Sequence, residues 1–121
     1  MEVIEIKGGT QSEKTIAVKV IDWCFEKKIV TKSDIDINME ILEDNDCWGS
    51  CVESDGIRLD TEGFDITISN EQSVRDFIAT IMHEMIHVNQ YITGEWEGDG
   101  EKEAEDRQYK LTDKFLKEIL I

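Results

Sequence analysis

Polar and apolar residues alternate strictly in two parts of the chain. Ile35, Ile37, Met39 and Ile41 are interleaved with Asp34, Asp36, Asn38 and Glu40, and Phe64, Ile66 and Ile68 repeat the pattern. A period of two gathers the apolar side chains on one face of a strand and leaves the other face wet. Val3 to Ile6 is a shorter case, ended by Gly8-Gly9. A further strand is predicted from about Cys47 to Glu53, after a turn at Asp44-Asn45-Asp46. Ser54-Asp55-Gly56 is predicted to fold it into a hairpin with Ile57-Arg58-Leu59.

Elsewhere the period lengthens to that of a helix. Ser12 is predicted to cap a first helix to about Lys28, with Ile16, Val20, Trp23, Cys24 and Ile29 as its apolar face. Ser69 or Asn70 is predicted to cap a second to about Ile92, with Glu71 in its first turn. After the acidic, glycine-rich stretch from Gly94 to Gly100, a third fills roughly Lys102 to Leu120. No repeat or linker interrupts this order. The expectation is one α+β domain over residues 1–121, with a small antiparallel sheet.

Composition narrows the function. The 121 residues carry 13 Lys+Arg against 28 Asp+Glu, a net charge of −15. Such a chain lacks the basic face that releases counterions from nucleic acid or docks on anionic lipid, so neither is an expected partner. No stretch has the roughly 20 apolar residues of a membrane span, and Met1 to Lys7 has no signal-peptide core. With three cysteines, an odd number, a reducing, cytoplasmic setting is expected.

The chemistry lies in His83-Glu84-Met85-Ile86-His87. Four residues make about one helical turn, so both imidazoles project from one face and can grip one Zn²⁺. Glu84 can then act as general base on a bound water. On a helical wheel Val74, Phe77, Ile78, Ile81, Met82, Met85, Val88 and Ile92 share one arc, while Asp76, Thr80, His83, His87, Gln90 and Tyr91 share the opposite one. Arg75 and Asn89, on or beside the apolar arc, are left unassigned. These are the chain's 2 histidines. Chance would place them four apart with Glu in that slot about two times in a thousand.

Hydrolytic zinc sites generally use three protein ligands. With no histidine left, the third is a carboxylate or a thiolate, and Glu101, Glu103, Glu105 and Asp106 follow at the start of the last helix. Ala104, Leu111 and Phe115 mark that helix's buried line, with Glu103 and Glu105 about 100° to either side of Ala104, so phase does not choose between these two. Cys47 and Cys51 lie roughly 13 Å apart in an extended strand, too far to chelate together, although one alone could serve. Tyr91 and Tyr109 could each donate to an oxyanion. Trp48 and Cys51 are expected to pack, as is Cys24 on the first helix, and Trp96 is expected to line a cleft or cover the core.

The HExxH helix followed by Glu103-Ala104 resembles the glutamate-type zinc peptidases (gluzincins), among them the ImmA/IrrE-like and small phage-encoded peptidases. The resemblance covers about the last 40 residues. It implies a minimal zincin-like fold with Zn²⁺ held by His83, His87 and Glu103. Where thermolysin has an acid one turn after its ligand glutamate, this chain has Arg107, so the groups that orient the imidazoles are left unassigned. Trp48-Gly49-Ser50-Cys51, then Gly56-Ile57-Arg58-Leu59, also resembles the SprT/YgjP-like metallopeptidases. Those proteins take a downstream histidine as ligand, and this chain has none. The expected activity is peptide hydrolysis on a peptide or protein substrate. The rival expectation is a zinc-stabilised module, phage accessory or antirepressor-like, that acts by contact with a regulatory protein partner.

Overall fold

The computed structural model describes residues 2–43 and 47–119. The turn expected at Asp44-Asn45-Asp46 and the helix end expected at Leu120 lie outside them. In chain order the elements are β1 (Val3–Gly8), α1 (Gln11–Glu26), β2 (Asp36–Leu42), β3 (Gly49–Asp55), β4 (Glu62–Ser69), α2 (Val74–Thr93) and α3 (Glu101–Ile119). The fold is mixed α+β.

The strands form one sheet in the order β1-β2-β4-β3. It is not antiparallel, as expected, but mixed. β1 and β2 run parallel, as do β2 and β4, and β3 alone is antiparallel to β4. Period-two alternation reports which face is buried and says nothing of strand direction. Direction is set by the connections, and α1 carries the chain back between β1 and β2 so that both point the same way. The hairpin is also wider than expected. Asp55 pairs with Glu62, and residues 56–61, including Ile57-Arg58-Leu59, form the connection. Arg58 anchors this connection to the start of β2. Its Nη2 and Nε lie 2.7 and 2.9 Å from Asp36 Oδ1, and its backbone N–H donates to Oδ2 at 2.8 Å.

The helix starts differ from expectation for a local reason. Thr10, not Ser12, caps α1, in a box where Thr10 Oγ1 accepts from Glu13 N–H and Glu13 accepts from Thr10 N–H. Ser69 ends β4 and spends its hydroxyl on Glu71 N–H. The chain then turns before Ser73 caps α2 by accepting from Asp76 N–H, so Asp76 stands in the first turn where Glu71 was expected.

Ile37, Met39, Ile41, Phe64, Ile66 and Ile68 form the buried face of the sheet, as their alternation predicts. Against it pack Ala17, Val20, Ile21 and Cys24 of α1 and the apolar arc of α2, except Val74, which is exposed. Arg75 donates to Asp113 of α3 with both Nε and Nη2 at 3.2 Å, and Asn89 Oδ1 accepts from Thr31 N–H and Oγ1. Helix α3 covers the far side of α2 and buries only Ala104, Thr112 and Phe115. The ring of Phe115 meets Trp23 of α1 edge-on at 5.7 Å. Among the described residues no helix is long and apolar enough to cross a membrane.

Candidate metal centre

Helix α2 carries both histidines on the face turned to α3, one turn apart, with ring centroids 4.8 Å apart. The third group is Glu101, the first residue of α3. His87 Nε2 lies 2.7 Å from Glu101 Oε1, and His83 Nε2 lies 3.0 Å from Oε2. One ligand atom from each of the three residues falls within 4.8 Å of the others, an arrangement compatible with a metal site. Donors around a tetrahedral zinc stand about 3.3 Å apart, so the two nitrogen–carboxylate distances would lengthen by roughly 0.3 to 0.6 Å around an ion.

The carboxylate beside the imidazoles is therefore that of Glu101, whereas the resemblance to gluzincins implied Glu103. Glu103 turns to the neighbouring groups, with Oε1 accepting from Gln90 Nε2 at 2.8 Å and Oε2 paired with Arg107 at 3.0 Å. A legible signal favoured Glu101. It lies three residues before Ala104, about 60° from it, nearer the buried line than Glu103 or Glu105 at about 100°. Gln108, four residues after Ala104, lies about 40° from it on the same line.

Two glutamines back the histidines. His83 Nδ1 is 2.6 Å from Gln108 Oε1, and His87 Nδ1 is 2.8 Å from Gln90 Oε1. An amide oxygen only accepts, so each imidazole carries a proton on Nδ1, and Nε2 is the nitrogen left to face Glu101 or an ion. Gln90 is itself fixed, since its Nε2 donates to Gly100 O at 3.0 Å as well as to Glu103. The sequence placed Gln90 on the histidine face without a role and missed Gln108. Gly100 makes the approach possible. Its φ is +78°, and a Cβ there would collide with Gln90 Oε1.

Glu84 is 5% exposed and its carboxylate has no hydrogen-bond partner among the described residues. Burial, with Glu101 adding to it and the two imidazoles opposing, pushes its pKa up to about 7. Gly49 of β3 lies over it, where a Cβ would come 2.9 Å from Glu84 Oε2 and 2.7 Å from Thr80 Cγ2.

Two cavities open at Glu84, one on each side. One, of 490 Å³, is bordered by Cys51, Tyr91, Trp96 and Asp99, and the other, of 680 Å³, by Trp48, Asp76, Glu105 and Tyr109. Tyr91 lies between Phe64 and Trp96, 6.0 Å from each ring. The Tyr109 hydroxyl donates to Asp76 Oδ1 at 2.7 Å. Neither Cys47, exposed with its thiol on Gly49 O, nor Cys51 joins the ligand cluster. Burial first, then nearby Glu84, Glu53 and Asp65, push the Cys51 thiol up and away from the thiolate form. Cys24 is buried in the core, its thiol 3.6 Å from the sulfur of Met82. Compared with known proteins, the chain matches no family model, no curated protein and no solved structure.

Proposed function

We propose that the protein is a zinc-dependent peptidase. The observation that carries this reading is the convergence of His83 Nε2, His87 Nε2 and the Glu101 carboxylate beside a buried glutamate that none of the described residues hydrogen-bonds. His83, His87 and Glu101 would hold Zn²⁺. When bound, the ion would bring the pKa of a water toward ~7 and polarise the scissile carbonyl. Glu84 would serve as the base that takes a proton from the attacking water and as the acid that returns it to the leaving amine as the C–N bond breaks. Gln90 and Gln108 keep both imidazoles in the tautomer that offers Nε2. Tyr91, on the cavity wall, is the available side chain to steady the carbonyl oxygen, because the Tyr109 hydroxyl is engaged by Asp76. β3 closes the sheet on the side of the site, and its Gly49–Asp55 edge can pair with an extended peptide.

The test is zinc titration together with a peptide-library digest, with and without chelator. Wild-type protein is expected to give chelator-sensitive cleavage. Glu84→Gln is expected to keep zinc and lose about 10²- to 10⁴-fold in rate. A variant cleaving at the wild-type rate would remove Glu84 from the mechanism. Zinc binding without cleavage of any peptide would favour the zinc-stabilised binding module instead.

A further inference from the structure

The two cavities beside Glu84 differ in what they offer a side chain. In the smaller one the aromatic rings of Tyr91 and Trp96 are packed on each other. In the larger one Trp48 is 54% exposed and Glu105 has neither an ion pair nor a hydrogen bond among the described residues. Asp76 makes no ion pair there, and receives only the Tyr109 hydroxyl on one oxygen of its side chain. Among the described residues no Lys or Arg borders this cavity. We infer that the 680 Å³ cavity bordered by Trp48, Asp76, Glu105 and Tyr109 is the subsite for a lysine or arginine side chain of the substrate. This rests on the peptidase reading for its substrate class.

Three independent features point the same way. Carboxylates without a cation, set beside an open indole face, form the surroundings that a guanidinium or ammonium group prefers. The protein already makes such a contact on the rim. Arg75 stacks 4.5 Å over the Tyr109 ring while pairing with Asp113. The third feature is Glu84, a buried carboxylate on the cavity wall with no donor of its own, next to Glu101. The carboxylates together favour a basic side chain and disfavour an acidic one, and specificity is the difference between the two. A net charge of −15 extends the same field over the approach.

The experiment compares Ala-Arg-Ala, Ala-Ala-Ala and Ala-Glu-Ala peptides in two ways. Cleavage by the zinc-loaded protein reads preference at one fixed position. Calorimetric binding to the metal-free wild-type protein, which keeps Glu84, reads it independently of turnover. The expected result is about tenfold preference for the basic peptide in both assays, reduced to parity or reversed by Glu105→Lys. Glu105 is exposed and makes no contact whose loss would unfold the chain. Equal binding of the three peptides, or a basic preference untouched by both Glu105→Lys and Trp48→Ala, overturns the subsite. Tight, Glu105-dependent binding of the basic peptide without cleavage of any peptide supports the subsite and overturns the peptidase reading.

Discussion

The two sides of helix α2 are held by different forces. Toward the sheet and α1, α2 presents Phe77, Ile78, Ile81, Met82, Met85 and Val88, all buried against isoleucines that are themselves almost fully enclosed. Toward α3 the contact is largely polar. His83 meets Gln108, Gln90 meets Gly100 and Glu103, Asp76 meets Tyr109 and Arg75 meets Asp113. The first side is adhesive without being directional, and tolerates small shifts. The second is directional, and so sets the positions of donor atoms to tenths of an ångström. A site that needs three ligand atoms at one point belongs on the second side, with the first supplying the stability.

The contrast is open to test. The largest effect is expected from Ile66→Ala in the middle of the sheet, which leaves a cavity where relaxation is incomplete. It should cost about 2–5 kcal/mol in a denaturant titration while leaving the zinc affinity of the folded fraction unchanged. Substitutions in the seam should do the reverse. Glu101→Ala is expected to weaken zinc binding by more than about 100-fold, and Glu103→Ala, acting through Gln90 and His87, by about tenfold. Glu103→Gln keeps an acceptor for Gln90 Nε2 and should recover most of that loss. Metal titration checks the ranking, and the reverse order would break the assignment.

The smallest effect sharpens the comparison, because the sheet side has one polar clamp of its own. Burial alone would raise the pKa of Asp36, but hydrogen bonds from the Arg58 side chain and backbone and its charge outweigh burial and hold it below the usual value. A folded-state pKa below the unfolded value of about 3.9 stabilises the fold above that pH, and the contribution is lost as pH falls through the folded value. Arg58→Ala should therefore destabilise the fold modestly at pH 7, and the gap to wild type should close as pH drops below about 4. A gap that stays constant from pH 7 to 3 would show that Arg58 acts by packing.

Much of this was written in local pattern. The apolar faces of β2, β4, α1 and α2 follow from spacing alone, since burial of a face requires nothing beyond periodic side chains. His83, Glu84 and His87 were legible for the same reason, because one helix fixes their relative positions. Strand direction and the β3–β4 register were not, because they depend on how connections cross the sheet.

The third donor shows the boundary most clearly. Sequence left a carboxylate from the start of α3 or a single thiolate to meet the histidines, since no other histidine exists and that segment is crowded with acids. Resemblance to the gluzincins selected Glu103. Only the packing of α3 on α2 brought Glu101 and Gln108 to the imidazoles and sent Glu103 to Gln90. Rotation of one helix about its axis is set by what it packs against, and no local propensity encodes it. Helix α3 starts with Glu101 behind Gly100, whose positive φ lets Gln90 lie against the backbone, and that junction selects one acid of the run to face the histidines.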